Sequence, residues 1–204
     1  MSRRRVIPAA GVSLGYLRAF TEIAARLQKA IAASRKAFKP GSLPVRMIVA
    51  GGAAQHFYTA ERVSMDVDAT LSARLLLPED LDVPFMDADG TPRVLYFDRQ
   101  YNDSFALLHE DAGDDARPLK LDGIDPALLD VRLLTPLDLA VSKLSRYAEH
   151  DQQDIAALAR HGLIDAASLK TRAGEALAGF VGDLRRVRTS INLACKLVEG
   201  IKAK

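Results

Sequence analysis

What this chain lacks narrows its possibilities before any motif is read. Its 204 residues hold one cysteine, Cys195. That excludes an internal disulfide framework and a cysteine-ligated metal cluster, and it makes a reducing cytoplasm the expected compartment. No stretch approaches the roughly 18 consecutive apolar residues a membrane span requires, so no membrane partner is expected. The basic start, Ser2-Arg3-Arg4-Arg5-Val6-Ile7-Pro8, has no long apolar core behind it and reads as an exposed tail rather than a secretory signal. An excess of one charge sign is missing too. The balance of 28 Lys and Arg against 26 Asp and Glu, +2 in all, argues against a surface dedicated to polyanions while leaving room for a local basic cleft. Repeats and low-complexity tracts are absent. His56, His109, His150 and His161 show no pair at metal-ligand spacing, so no zinc site is expected. No serine, histidine or aspartate stands in a nucleophile motif, and Cys195 reads as a small apolar packing residue.

What is present is an alternation of helical and strand patterns that gives way to helix alone. Leu17, Phe20, Ala24, Leu27 and Ile31 recur at steps of three and four, predicting an amphipathic helix over 13–38 that ends at Lys39-Pro40-Gly41. A buried strand is expected over 45–50, a helix over 53–59 and a second strand over 64–71. The segment 78–82 reads as a short helix, and Asp89-Gly90 as a turn. Residues 93–99 and 104–110 read as an antiparallel hairpin, and 130–134 as a short edge strand. Thr135 is an expected N-cap, with Pro136 at the first helical position and Asp138 where a capping-box acid sits. Helices are then expected over 136–148, 151–160 (closed by Gly162), 165–180 and 184–201. The fold class is α/β (α+β): a small mixed sheet with flanking helices in a core of residues 1–134, then a helical lobe of residues 135–204.

Function is concentrated in Val49 to Ala69. A strand meets Gly51-Gly52, a short helix follows, and then Arg62, Ser64, Asp66 and Asp68 fall at alternate positions. Residues two apart on a strand share a face, so the two carboxylates stand side by side. They repel unless a cation lies between them, and a divalent metal held by hard oxygens is the natural guest. A glycine pair between strand and helix offers backbone N–H groups and a helix N-terminus, a ready phosphate site. Phosphate and metal together suit a nucleoside triphosphate. Asp87-Ala-Asp89-Gly90 is not a calcium loop, because the first and last ligand positions would be Phe85 and Tyr96.

Gly51-Gly52 followed by Arg62-Val-Ser64-Met-Asp66-Val-Asp68 resembles the core signature of the nucleotidyltransferase superfamily. The likeness is to the minimal bacterial branch that includes the AbiEii-type toxins and related uncharacterised nucleotidyltransferase-like proteins. Ala54, Arg62, Ser64, Asp66 and Asp68 match in place, whereas Ala53 stands where Thr or Ser is frequent and Ala69 where Leu is frequent. The resemblance implies a helical segment with a lysine and a later acid, which Lys143 and Asp154 match. Gln153 replaces a basic residue and Ala157 an acid often found there. It also implies a third carboxylate beside the first two, with Asp98 the preferred candidate and Glu110 the alternative. On this basis Asp66, Asp68 and Asp98 are candidate ligands of Mg²⁺ or Mn²⁺. Those three acids and Lys143 are the candidate catalytic residues. Gly51, Gly52, Arg62, Ser64, Lys143 and Asp154 are candidate nucleotide contacts.

The expected activity is metal-dependent transfer of a nucleoside monophosphate to a hydroxyl of RNA, protein or a small molecule. A tRNA or protein acceptor and an antitoxin are the implied partners, the latter if the chain is the toxin of a toxin–antitoxin pair. Two rivals come from other classes. One is a catalytically silent nucleotide- or partner-binding module. The other is a helical interaction protein whose aspartates hold no metal. Arg185, Arg186, Arg188, Lys196, Lys202 and Lys204 give the last helix a basic aspect, read as a solvated face.

Overall fold

In the computed structural model, residues 5–104 and 106–202 are described, without the side chains of Ala37 and Lys202. Ser2, Arg3 and Arg4 of the expected tail, Phe105 of an expected strand and Lys204 of the basic helix lie outside them. The chain divides into two compact units, one formed up to Tyr101 together with Arg117–Leu133, the other by Asn102–Ala116 and the chain from Leu134. The architecture is α+β, with two small mixed sheets and helices around them. Among the described residues no helix is long and apolar enough to cross a membrane.

The first unit is built around helix α1 (Leu14–Ala33), whose start is capped by Ser13 accepting from Tyr16 N–H at 3.1 Å. Its buried stripe of Tyr16, Phe20, Ile23, Leu27 and Ile31 faces the core. There Phe57 meets Tyr16 and Phe20 edge-on at ring-centroid separations of 5.8 and 4.9 Å. Such pairs add about 0.5–1.5 kcal/mol beyond area burial. Strand β1 (Val45–Val49) buries alternate residues, and helix α2 (Gly51–Thr59) follows it at once. The helix thus begins two residues earlier than its periodicity predicts, because the glycine pair itself forms its first turn.

The expected strand over 64–71 is instead two short ones, β2 (Asp66–Val67) and β3 (Ala69–Leu71), which join different sheets. One sheet has the order β3-β1-β7-β6, with β7 (Leu129–Leu133) parallel to β1 and antiparallel to β6 (Arg117–Pro118). β7 is therefore an interior strand, not an edge. Its alternating burial resembles that of an edge strand, and only the long-range pairing distinguishes the two. The other sheet has the order β2-β5-β4, with β2 parallel to β5 (Pro92–Phe97) and β4 (Asp82–Met86) antiparallel to it.

Two readings from the sequence fail here. No helix forms over 78–82; Leu81, Val83 and Phe85 are buried alternately with exposed Asp82, Pro84 and Met86, a strand pattern that Pro78 and Pro84 obscure. Pro84 is tolerated because β4 is at the sheet edge, where a missing N–H costs no ladder bond. The hairpin is β4–β5, closed at Asp87–Thr91, so the described residues of 104–110 form no returning strand. Local side-chain bonds hold that region in turns instead, as when Ser104 N–H donates to Asn102.

The second unit contains α3 (Ala112–Asp115), α4 (Pro136–Ser142), α5 (Glu149–Arg160), α6 (Ala166–Ala176) and α7 (Leu184–Lys202). Thr135 caps α4 as the sequence implies, accepting from Asp138 N–H at 3.0 Å. Asp138, almost fully buried, accepts from the Thr135 hydroxyl and from Arg172 of α6, which also reaches Asp115 of α3 at 2.8 Å. One guanidinium thus ties three helices together. The helix expected over 136–148 stops at Ser142, and Tyr147 takes a left-handed φ of 50° before α5.

Candidate functional site

The glycine pair and the acid strand are in direct contact. Ala50 N–H donates to Asp68 O at 2.8 Å, and Val49 pairs with Ala69, so the end of β1 runs beside Asp68. Gly51 has a φ of +54°, and a Cβ there would sit 1.9 Å from Asp68 Oδ2. A Cβ on Gly52 would lie 2.3 Å from Ser64 Oγ and 3.3 Å from Arg62 Nη2. The first glycine is required by conformation and space, the second by space alone. Ala50, the N-cap of α2, has no polar side chain with which to claim the first-turn N–H groups. The positive end of the helix dipole therefore begins beside the Asp68 carboxylate.

Val67 is fully buried, so Asp66 and Asp68 on either side of it turn to the other, half-exposed face. The buried Ser64 hydroxyl donates to Asp66 Oδ1. Asp66 is the register partner of Tyr96 on β5, and Asp98 N–H donates to Val67 O at 3.1 Å, which brings Asp98 alongside the acid strand. Asp98 shares its face with Val94 and Tyr96, and that face is the open one, since Leu95 and Phe97 are buried. Its carboxylate accepts from Gln100 N–H at 2.8 Å. Partial burial, then the charges of Asp66, Asp98, Asp68 and Asp82, raise the Tyr96 hydroxyl above its ordinary range, so four carboxylates act on that one group.

Two carboxylates braced by the glycine turn suit a divalent cation, and the space a Cβ would fill at Gly51 is what lets Asp68 approach the turn. Among the described residues, however, no three His, Cys, Asp or Glu side chains are gathered as a metal-ligand group. Glu110 is exposed in a turn of the second unit, and the strand that would have carried it is absent.

Two buried polar side chains, Tyr16 and His56, meet in the core of the same unit. Tyr16 is fully buried with its hydroxyl unpartnered, and burial followed by the charge of Asp66 raises its pKa. Its ring meets His56 at 4.5 Å. Burial lowers the His56 pKa against the opposing pull of a backbone hydrogen bond at Arg62 and the charge of Asp87. No spacing rule marks a tyrosine and a histidine forty residues apart, so only the fold reveals them.

In the second unit Lys143 is buried, not a surface lysine, and its Nζ donates to Asp154 Oδ2 at 2.6 Å. Asp151 is also buried; Arg146 grips it with two bonds of 2.9 and 2.8 Å, and Ala148 N–H adds a third at 2.9 Å. Burial alone would raise the Asp151 carboxyl, but the Arg146 and Ala148 bonds outweigh it and hold it below the usual range. A sequence signal for this second pair exists. Asp151 and Asp154 are three apart on one helical face, as Lys143 and Arg146 are three apart before it.

The family described as nucleotidyltransferase of unknown function (DUF6036) matches residues 25–196, a span containing the glycine pair, both strand aspartates, Lys143 and Asp154. No curated protein and no solved structure matches the chain.

Proposed function

The chain belongs to this family of nucleotidyltransferases, and on that premise we propose that it transfers a nucleoside monophosphate from a nucleoside triphosphate to a hydroxyl acceptor on RNA, protein or a small molecule. The observation that carries the reading is the fit of Gly51 and Gly52 against Asp68 and Ser64, so close that a Cβ on either glycine would force the facing side chain to move.

Asp66 and Asp68 would hold Mg²⁺ or Mn²⁺, with Asp98 as third acid. Bound there, the cation supplies neutralisation of phosphate charge. The backbone of Gly51 and Gly52 and the Ser64 hydroxyl donate to phosphate oxygens, and Arg62 offsets the charge that develops as pyrophosphate leaves. Asp154 orients Lys143. The resemblance to AbiEii-type toxins extends the proposal to a growth-inhibiting toxin neutralised by an antitoxin. Absence of growth arrest on expression of the wild-type chain would contradict that extension, and arrest that persists in Asp66→Ala would separate it from the metal site.

Mg²⁺-dependent binding of a nucleoside triphosphate, abolished in Asp66→Ala, tests the site. Transfer of label from α-labelled nucleotides to tRNA, protein or small hydroxyl compounds tests the reaction. One observation favours a second reading, a silent nucleotide-binding module: the absence of a three-acid group among the described residues. Binding without transfer to any acceptor class decides for it.

A further inference from the structure

The open face of the β2-β5-β4 sheet changes character in one direction. At one end are the helix N-terminus at Gly51, Ser64 and the two aspartates. One strand over from Asp66 stands Tyr96, its register partner. Beyond it on the same face lie Val94 on β5 and Pro84 and Met86 on β4, with Pro84 paired to Val94 and Asp82 to Tyr96. Tyr96 is 42 % exposed, Val94 46 % and Met86 57 %, whereas the alternate residues Leu95 and Phe97 are buried in the core. The sheet therefore leaves an aromatic ring and an aliphatic floor in solvent next to its acid pair.

We propose that Tyr96 is the stacking surface for the nucleobase of the bound triphosphate, with Val94, Pro84 and Met86 as the floor beneath the nucleoside. The proposal rests on the nucleotide-binding reading above and assigns the part of that ligand the acids and glycines do not touch. A nucleoside triphosphate is itself graded in this way, anionic at the phosphates and apolar across the base. Its order matches the order phosphate site, acid pair, aromatic ring, aliphatic floor. Adjacent strands are about 4.8 Å apart and alternate residues about 6.6 Å along a strand, so Tyr96 and Val94 lie within one nucleoside of the acids. Asp82 and Asp98 flank the ring. Arg93 pairs with Asp87 and Asp89, and Arg99 donates to the Pro78 carbonyl, while Asp82, the register partner of Tyr96, is placed to accept from ribose hydroxyls. Stacking on an aromatic face tolerates every base, so discrimination among bases is expected to be weak.

The test compares two ligands in Mg²⁺, a nucleoside triphosphate and inorganic tripolyphosphate, which carries the phosphates without the nucleoside. Tyr96→Ala is expected to weaken the nucleoside triphosphate roughly tenfold or more and to leave tripolyphosphate unchanged. Tyr96→Phe keeps both affinities. The chain has no tryptophan, so Tyr96→Trp introduces a single fluorophore, expected to be quenched by the nucleoside triphosphate and not by tripolyphosphate. Unchanged triphosphate binding in Tyr96→Ala, equal loss of both ligands, or a loss in Tyr96→Phe as large as in Tyr96→Ala would overturn the proposal. Wild-type protein that binds neither ligand in Mg²⁺ overturns the phosphate-site reading itself, and the stacking role with it.

Discussion

A methyl group on Gly51 would have to share space with the Asp68 carboxylate, and on Gly52 with the Ser64 hydroxyl. Overpacking of this kind costs about 1–3 kcal/mol, and Gly51 adds the penalty of a left-handed φ. Gly51→Ala is therefore expected to lower the unfolding free energy by about 2–5 kcal/mol and to abolish Mg²⁺-dependent triphosphate binding; both are readable by denaturant titration and calorimetry. Gly52→Ala, free of the φ penalty, is expected to be the milder variant. The Lys143–Asp154 pair permits a sharper separation of fold from function. Asp154→Ala leaves a buried ammonium without its partner and is expected to cost about 3–5 kcal/mol. Replacing both, Lys143→Met with Asp154→Leu, is expected to come close to wild-type stability, since paired buried charges exchange for apolar packing at little net cost. If that double variant also binds nucleotide as wild type does, the Lys143–Asp154 pair is structural.

Among the elements, α5 and the turn before it carry a pH dependence whose sign follows from Asp151. Its carboxyl lies below the usual range in the folded protein, chiefly because the Arg146 and Ala148 bonds outweigh burial. A depressed folded value means the stabilisation is fully present above the unfolded value of about 3.9 and is lost as pH falls through the folded one. Asp151→Asn is thus expected to be less stable than wild type by about 1–3 kcal/mol at neutral pH, with the difference shrinking below about pH 3.9. Thermal melts across that range measure it. Arg172 carries the corresponding load for α3, α4 and α6. Arg172→Met strands the buried Asp138 carboxylate, and a loss of about 3 kcal/mol or more is expected in chemical unfolding.

At the scale of the whole chain, a ligand that binds only the folded protein raises its apparent stability by mass action. At about one hundred times its dissociation constant a Mg²⁺–nucleoside triphosphate contributes about 2.7 kcal/mol, a shift of roughly 5–10 °C for a chain of this size. Calorimetry should show that shift in wild type and not in Asp66→Ala. The local devices of this protein were readable from its residues: the amphipathic period of α1, the Thr135 cap, the glycine pair and the alternation of Asp66 with Asp68. Each is set by neighbours within a few positions, where backbone geometry is the deciding term. Pairing across the chain was not readable. Residues 64–71 carry one strand pattern yet divide between two sheets, β7 is interior where its pattern suits an edge, and β5 pairs with β4 rather than with the residues after it. Strand partners are chosen by which apolar faces bury together at a distance, a choice no local spacing encodes. The acid pair was legible for the first reason. The ring of Tyr96 beside it, the buried Tyr16 and His56, and the burial of Lys143 with Asp154 were decided only when distant segments packed.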